Sequence, residues 1–135
     1  MIDYRRDHPL TPGQARELYQ ASTLGQRRPI DDEARFKAML EHANLVVSAW
    51  DGPLLVGIAR CLSDFAWVTW LADLAVRQTH QRRGIGRQLI HHCQLAAPQA
   101  RILLRAAPAA AHYYPHIGFS PATQAWLLEP DHQVA

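Results

Sequence analysis

Apolar residues along the 135-residue chain change their spacing several times, and each change marks an element. A short strand is predicted at residues 2–5, stopped by His8 and Pro9. Thr11 as N-cap, Pro12 in the first turn and Gln14 three residues after the cap open a helix, whose face carries Ala15, Leu18 and Tyr19. "GQRRPI" reads as a loop. "DDEARFKAMLEHA" reads as a second helix, with Asp31 as its cap and Phe36, Met39 and Leu40 on one face. From Asn44 the texture turns to strands. "NLVVSAW", the pair Asp51-Gly52 and "PLLVGIARCL" predict a hairpin closed by a type I′ turn.

A turn at "SDF" leads into a long strand at 66–76, nearly continuously apolar from Leu71, as suits a central strand covered on both faces. Gly86, Leu89, Ile90, Cys93 and Ala97 then form a helical stripe, and residues 100–106 a further apolar strand. Strand, helix and strand within about 40 residues make a βαβ crossover and a parallel pair. Pro108 opens a short helix that ends at Gly118, and residues 119–129 are predicted to close the chain as a last strand. The order β-α-α-β-β-β-α-β-α-β is that of a mixed α/β (α+β) fold. The length suits one domain over residues 1–135.

Composition narrows the picture modestly. A net charge of +2 is too small to argue for nucleic acid. No apolar run approaches the roughly 20 residues of a membrane span. Cys61 and Cys93, inside apolar runs, read as buried free thiols, and the cytoplasm is the expected compartment. Charge distribution says more. Of fourteen basic residues, three stand within "QRRGIGR", residues 81–87, around two glycines. The spacing matches neither a P-loop nor a dinucleotide fingerprint, since position 89 is Leu. A strand, this loop and a helix start can cradle an anion on backbone N–H groups, with Arg82, Arg83 and Arg87 adding charge. A plain turn with solvated arginines fits the hexapeptide as well.

"DLAVRQTHQRRGIGRQLI", residues 73–90, resembles the acetyl-CoA-binding motif of the GNAT superfamily of N-acetyltransferases. The motif is a strand ending in Leu74-Ala75-Val76, a short loop, then Gln81 through Gly86 opening a helix. "HYYPHIGF", residues 112–119, resembles the family's second segment, with Tyr113 in place of a phenylalanine. The element order is similar over nearly the whole chain. The resemblance implies a mixed sheet whose two parallel strands splay apart, with acetyl-CoA as cosubstrate and no metal. The backbone of Leu74 and Val76 would hold the pantetheine amides, and backbone N–H groups from Arg82 through Gly84, Ile85 and Gly86 to Arg87 the pyrophosphate. Ala75 and Ile85 would pack. Tyr114 aligns with the tyrosine that serves as general acid toward the departing thiolate. Many relatives carry an asparagine seven residues before that tyrosine; here it is Ala107.

The base that takes the amine proton is less marked. Asp73 is the nearest carboxylate, either as base or in a structural pair. His112 and His116 flank Tyr114 and read as surface or core histidines. The family likeness puts the acceptor against the first two helices and their loop, where Arg27 and Arg28 could meet an anionic group and Trp70 could wall a pocket. The resulting expectation is transfer of acetyl from acetyl-CoA to a primary amine in a ternary complex. A non-catalytic CoA-binding module of the same fold is the alternative. A nucleic-acid patch of Arg77, Arg82, Arg83 and Arg87 would instead bind steeply with salt and ignore CoA. No membrane partner is expected, and an exposed final strand could pair with a second copy.

Overall fold

The computed structural model describes all residues from Met1 to Ala135. They form two units, Met1–Leu104 and Arg105–Ala135. The first holds a five-stranded sheet in sequential order: β1 (Ile2–Arg6), β2 (Leu45–Asp51), β3 (Leu54–Ser63), β4 (Val68–Val76) and β5 (Arg101–Leu103). Neighbours pair antiparallel except β4 and β5, which run parallel through the crossover helix α3 (Ile85–Ala96).

Helix α1 (Pro12–Ala21) begins as its sequence predicts. The Thr11 hydroxyl accepts from the Gln14 N–H at 3.1 Å, and the Gln14 side chain accepts from the Thr11 N–H at 3.0 Å. Helix α2 (Glu33–His42) starts later than expected. Asp32 is its cap, accepting from Arg35 N–H, while Asp31 pairs with Arg16 of α1. Both helices cover one face of the sheet, where Tyr19, Phe36, Leu18 and Ile58 share a core. Adjacent residues on a strand point to opposite faces. Accordingly Gly57, beside Ile58, faces α3, and a Cβ there would stand 3.0 Å from Leu89 and 3.2 Å from Ile85. Cys61 and Cys93 meet on this second face, buried and 3.6 Å apart, with the hydrogen bond to Cys93 and then burial raising the Cys61 thiol pKa.

Four sequence expectations need correction. The β2–β3 turn is centred on Gly52-Pro53, and only Gly52 has positive φ (+59°), so it is not type I′; the proline ring forbids the second positive φ. In β4 the apolar run is not continuously covered: Leu71, Asp73 and Ala75 are buried but Ala72, Leu74 and Val76 only half-buried, and the irregular pairing at Ala72 puts Leu71 on the α3 face and Asp73 and Ala75 on the other. β5 is three residues long, because it has β4 alone to pair with and that ladder ends at Trp70 and Leu103. "GQRRPI" is not wholly irregular, since Leu24–Arg27 form a 3-10 turn.

The second unit contains a 3-10 turn, Pro108–Ala110, and a one-turn helix, α4 (Tyr113–His116). Gly118 follows it at φ +106°, as expected of the residue that ends this helix. The expected last strand at 119–129 is not formed. Pro121 lacks a donor, the local bonds close turns such as Ala125 N–H to Ala122, and Trp126 is almost fully exposed.

Candidate functional site

In β4 and its loop to α3, backbone geometry decides what can bind. β5 pairs with β4 only through Val68, Thr69 and Trp70, so from Leu71 to Val76 that edge of β4 has no strand partner. A bulge at Ala72 shifts the alternation, because Arg60 pairs with Asp73 but Cys61 with Leu71. Arg77 N–H donates to Val56 at 2.8 Å. The backbone groups of Asp73 and Ala75 therefore face β3, and those of Leu74 and Val76 face the open edge. On that edge the Val76 carbonyl accepts from the Gln81 side chain at 2.9 Å.

The loop that follows is fixed at two points. Arg77 forms a bidentate pair with Glu17 of α1 (2.7 and 2.6 Å) and also donates to the Leu55 carbonyl. His80, buried, bridges Asp51 of β2 at 2.9 Å and the Thr79 hydroxyl at 2.7 Å. The His80 hydrogen bond holds the Asp51 carboxyl below its ordinary range. Nothing local in the sequence marks these anchors, since the partners lie 60 and 29 residues apart. Arg77 is thereby withdrawn from the cluster of free arginines.

Beyond the anchors the backbone alternates hand. Arg82 has φ +64° and Gly84 φ +78°, around Arg83, and α3 starts at Ile85 with no side-chain cap. Successive N–H groups in such a run converge into a concavity that favours an anion, and the first turn of α3 adds unpartnered donors. Arg82, Arg83 and Arg87 are exposed and in no ion pair, while Ile85 is buried and seats the helix. The open β4 edge and this cradle are contiguous along the chain. They fit an elongated ligand with amides at one end and phosphate at the other.

On the face covered by α1 and α2 lies a buried ionic cluster. Asp73 Oδ2 accepts from Tyr19 Oη and Arg60 Nε, and Oδ1 accepts from Arg28 Nε, each at 2.6 Å. Burial alone would raise the Asp73 carboxyl, but Arg60, Tyr19 and Arg28 hold it below the ordinary carboxylate range. Tyr19 is pushed well up by burial and the neighbouring carboxylate. Arg28 spends its other nitrogens on the carbonyls of Arg27 and Ala72, so it is no solvated loop charge, whereas Arg27 is exposed. Trp70 is partly exposed at the last β4–β5 pair. In the second unit Tyr114 is half-buried on α4, edge-on to Phe119 and to Tyr113.

Comparison with known proteins bears on the family and the fold. Residues 41–121 match the family model described as an acetyltransferase (GNAT) domain. An uncharacterised Ycf52-like N-acetyltransferase of Prochlorococcus marinus is 30% identical over 111 residues, which are 77% of this chain and 56% of that protein. The chain thus spans a little over half of that relative. A GNAT-family acetyltransferase from Streptococcus pneumoniae superposes with a TM-score of 0.74 at 23% identity, covering 95% of this chain and 98% of the other. The aminoglycoside N-acetyltransferase AAC(6')-Iy, solved with CoA, gives 0.73 at 17% identity over 98% and 96%. At such identities the structural likeness is one of fold.

Proposed function

The chain belongs to the GNAT acetyltransferase family, and from that premise we propose that it moves an acetyl group from acetyl-CoA to a primary amine. The observation that carries this reading is the pairing of an open β4 edge with an arginine-flanked cradle at an uncapped helix start. In this reading the backbone of Leu74 and Val76 holds pantetheine as an added strand would. The N–H groups from Arg82 to Arg87 hold the pyrophosphate, with Gln81, Arg82, Arg83 and Arg87 around it, while Ala75, Ile85 and Gly86 let the backbone approach. Acetyl-CoA supplies the activated thioester.

The chain's own contribution is positioning and proton transfer. As the amine nitrogen bonds to the acetyl carbon and the carbon–sulfur bond breaks, the Tyr114 hydroxyl gives a proton to sulfur. Support for this role is the place of Tyr114 in the second family segment. Asp73 is assigned to holding Arg60, Arg28 and Tyr19 together rather than to taking the amine proton. A carboxyl kept below its ordinary range by two guanidinium groups is a poor base. The amine proton passes to water instead, and water returns a proton to the Tyr114 phenolate.

Calorimetric titration with acetyl-CoA tests the reading. Saturable binding is expected, weakened at least about tenfold by Gly84→Asp, because that position requires positive φ and an added carboxylate opposes phosphate. Absence of binding would refute it. Tyr114→Phe is expected to lower kcat by about 100-fold with the acetyl-CoA affinity retained. Unchanged turnover would leave the hydroxyl without a role, and binding without any turnover would favour a CoA-binding module.

A further inference from the structure

Resting on the acetyl-transfer reading, we propose that the acceptor is a primary amine on an apolar, otherwise uncharged body, which lies against Leu62, Trp70 and Leu103. These three residues are neighbours across three strands: Leu62 of β3 pairs with Trp70 of β4, and Trp70 with Leu103 of β5. Side chains at paired positions share a face and stand about 4.5–5.5 Å apart at Cβ. The row is open, at 43%, 38% and 36% exposure, although its neighbours along the strands, Cys61, Ser63, Thr69 and Leu71, are buried. Leu62 follows Arg60 by two positions, so the row continues the face on which Asp73, Tyr19 and α1 meet.

Its place along β4 matters as much as its chemistry. Trp70 and Leu103 are the last paired residues before the two strands part. The wall therefore begins where the open β4 edge begins, which is where a ligand laid along that edge would present its far end to an acceptor.

Charge decides which acceptors suit such a wall. Between Leu54 and Val76 the only carboxylates are Asp64 and Asp73. Asp73 faces two guanidinium groups, leaving that cluster net positive, and Asp64 spends Oδ1 on the N–H groups of Ala66, Trp67 and Val68. Arg101, stacked on Trp67 at 3.8 Å, adds a further cation near the row. A polycation would meet the guanidinium groups of Arg60, Arg28 and Arg101, with Asp64 the single carboxylate of this stretch not paired to a cation. An anionic acceptor finds no idle fork in Arg28, whose three nitrogens each already donate, and the Arg101 guanidinium is engaged over the Trp67 ring. What remains is burial of apolar surface against an aromatic ring, with one amine to react.

Phenethylamine, spermidine and L-phenylalanine separate these classes. Each is titrated calorimetrically into the CoA-saturated protein and assayed by thiol release from acetyl-CoA. Phenethylamine is expected to exceed the other two at least about tenfold in affinity and in kcat/KM, a difference equal to about 1.4 kcal/mol. Trp70→Ala is expected to lower phenethylamine affinity about tenfold with the acetyl-CoA Kd unchanged, Trp70→Phe to restore most of it, and Trp67→Ala to have no effect. Spermidine or phenylalanine binding as well as phenethylamine, or an unchanged affinity in Trp70→Ala, overturns the proposal. Trp70-dependent binding of phenethylamine without acetylation would sustain the wall and refute the transfer reading.

Discussion

A carboxylate with no exposed surface persists only where cations and donors replace the water it has lost. Asp73 has three such partners, and removing its charge would leave Arg60 and Arg28 facing each other. Asp73→Asn is expected to cost about 3–5 kcal/mol in denaturant unfolding. An unchanged midpoint would mean that the cluster is dispensable. The pH dependence has a definite sign. Because the folded chain binds this proton more weakly than the unfolded chain, the stabilisation is complete above the unfolded value of about 3.9 and is lost as pH falls through the lower folded value. Unfolding curves between pH 7 and pH 3 should therefore show a steeper acid loss in the parent than in Asp73→Asn. The same residues mark what could be read from sequence. The Thr11–Gln14 capping box is legible because its partners are three residues apart. The partners of Asp73 stand 13, 45 and 54 residues away, and only the fold brings them together.

At the level of elements, local signals and tertiary geometry divide the work. Periodicity places α1, α3 and the β2–β3–β4 run, because each has a continuous apolar face to bury. It overextends β5 and adds a closing strand at 119–129. A strand needs a neighbour as well as an apolar sequence, and pattern alone does not supply one. The glycine turn that leads into α3 was legible, but its anchors, Arg77 to Glu17 and His80 to Asp51, were not. The seat of α3 is similarly tertiary. Gly57 leaves room for Leu89 and Ile85, and Gly57→Val is expected to destabilise by about 1–3 kcal/mol through overpacking, measured as a lowered denaturation midpoint. Tolerance of that valine would show that α3 can shift without loss.

For the whole molecule, protection from hydrogen exchange should follow the two units. The β2–β3 ladder is long and mostly buried, with one register shift between Ala49 and Trp50, whereas residues 120–135 are exposed and held locally by turn bonds such as His132 N–H to Glu129. Amides in 120–135 are expected to exchange first, and those of β2 and β3 last. Equal protection in both regions would contradict this.

The unpaired stretch of β4 also bears on how the protein keeps company with its neighbours in a crowded solution. A strand edge without a partner is a template for any extended chain that drifts past, and such edges seed precipitation. Any molecule that lies along Leu74 and Val76 would quiet that edge while it stays bound, and would raise the unfolding free energy by about 2.7 kcal/mol at a hundred times its Kd. Shelf life and solubility of the purified chain would then follow the concentration of whatever lies along that edge, and the chain kept without it would be in its least durable form.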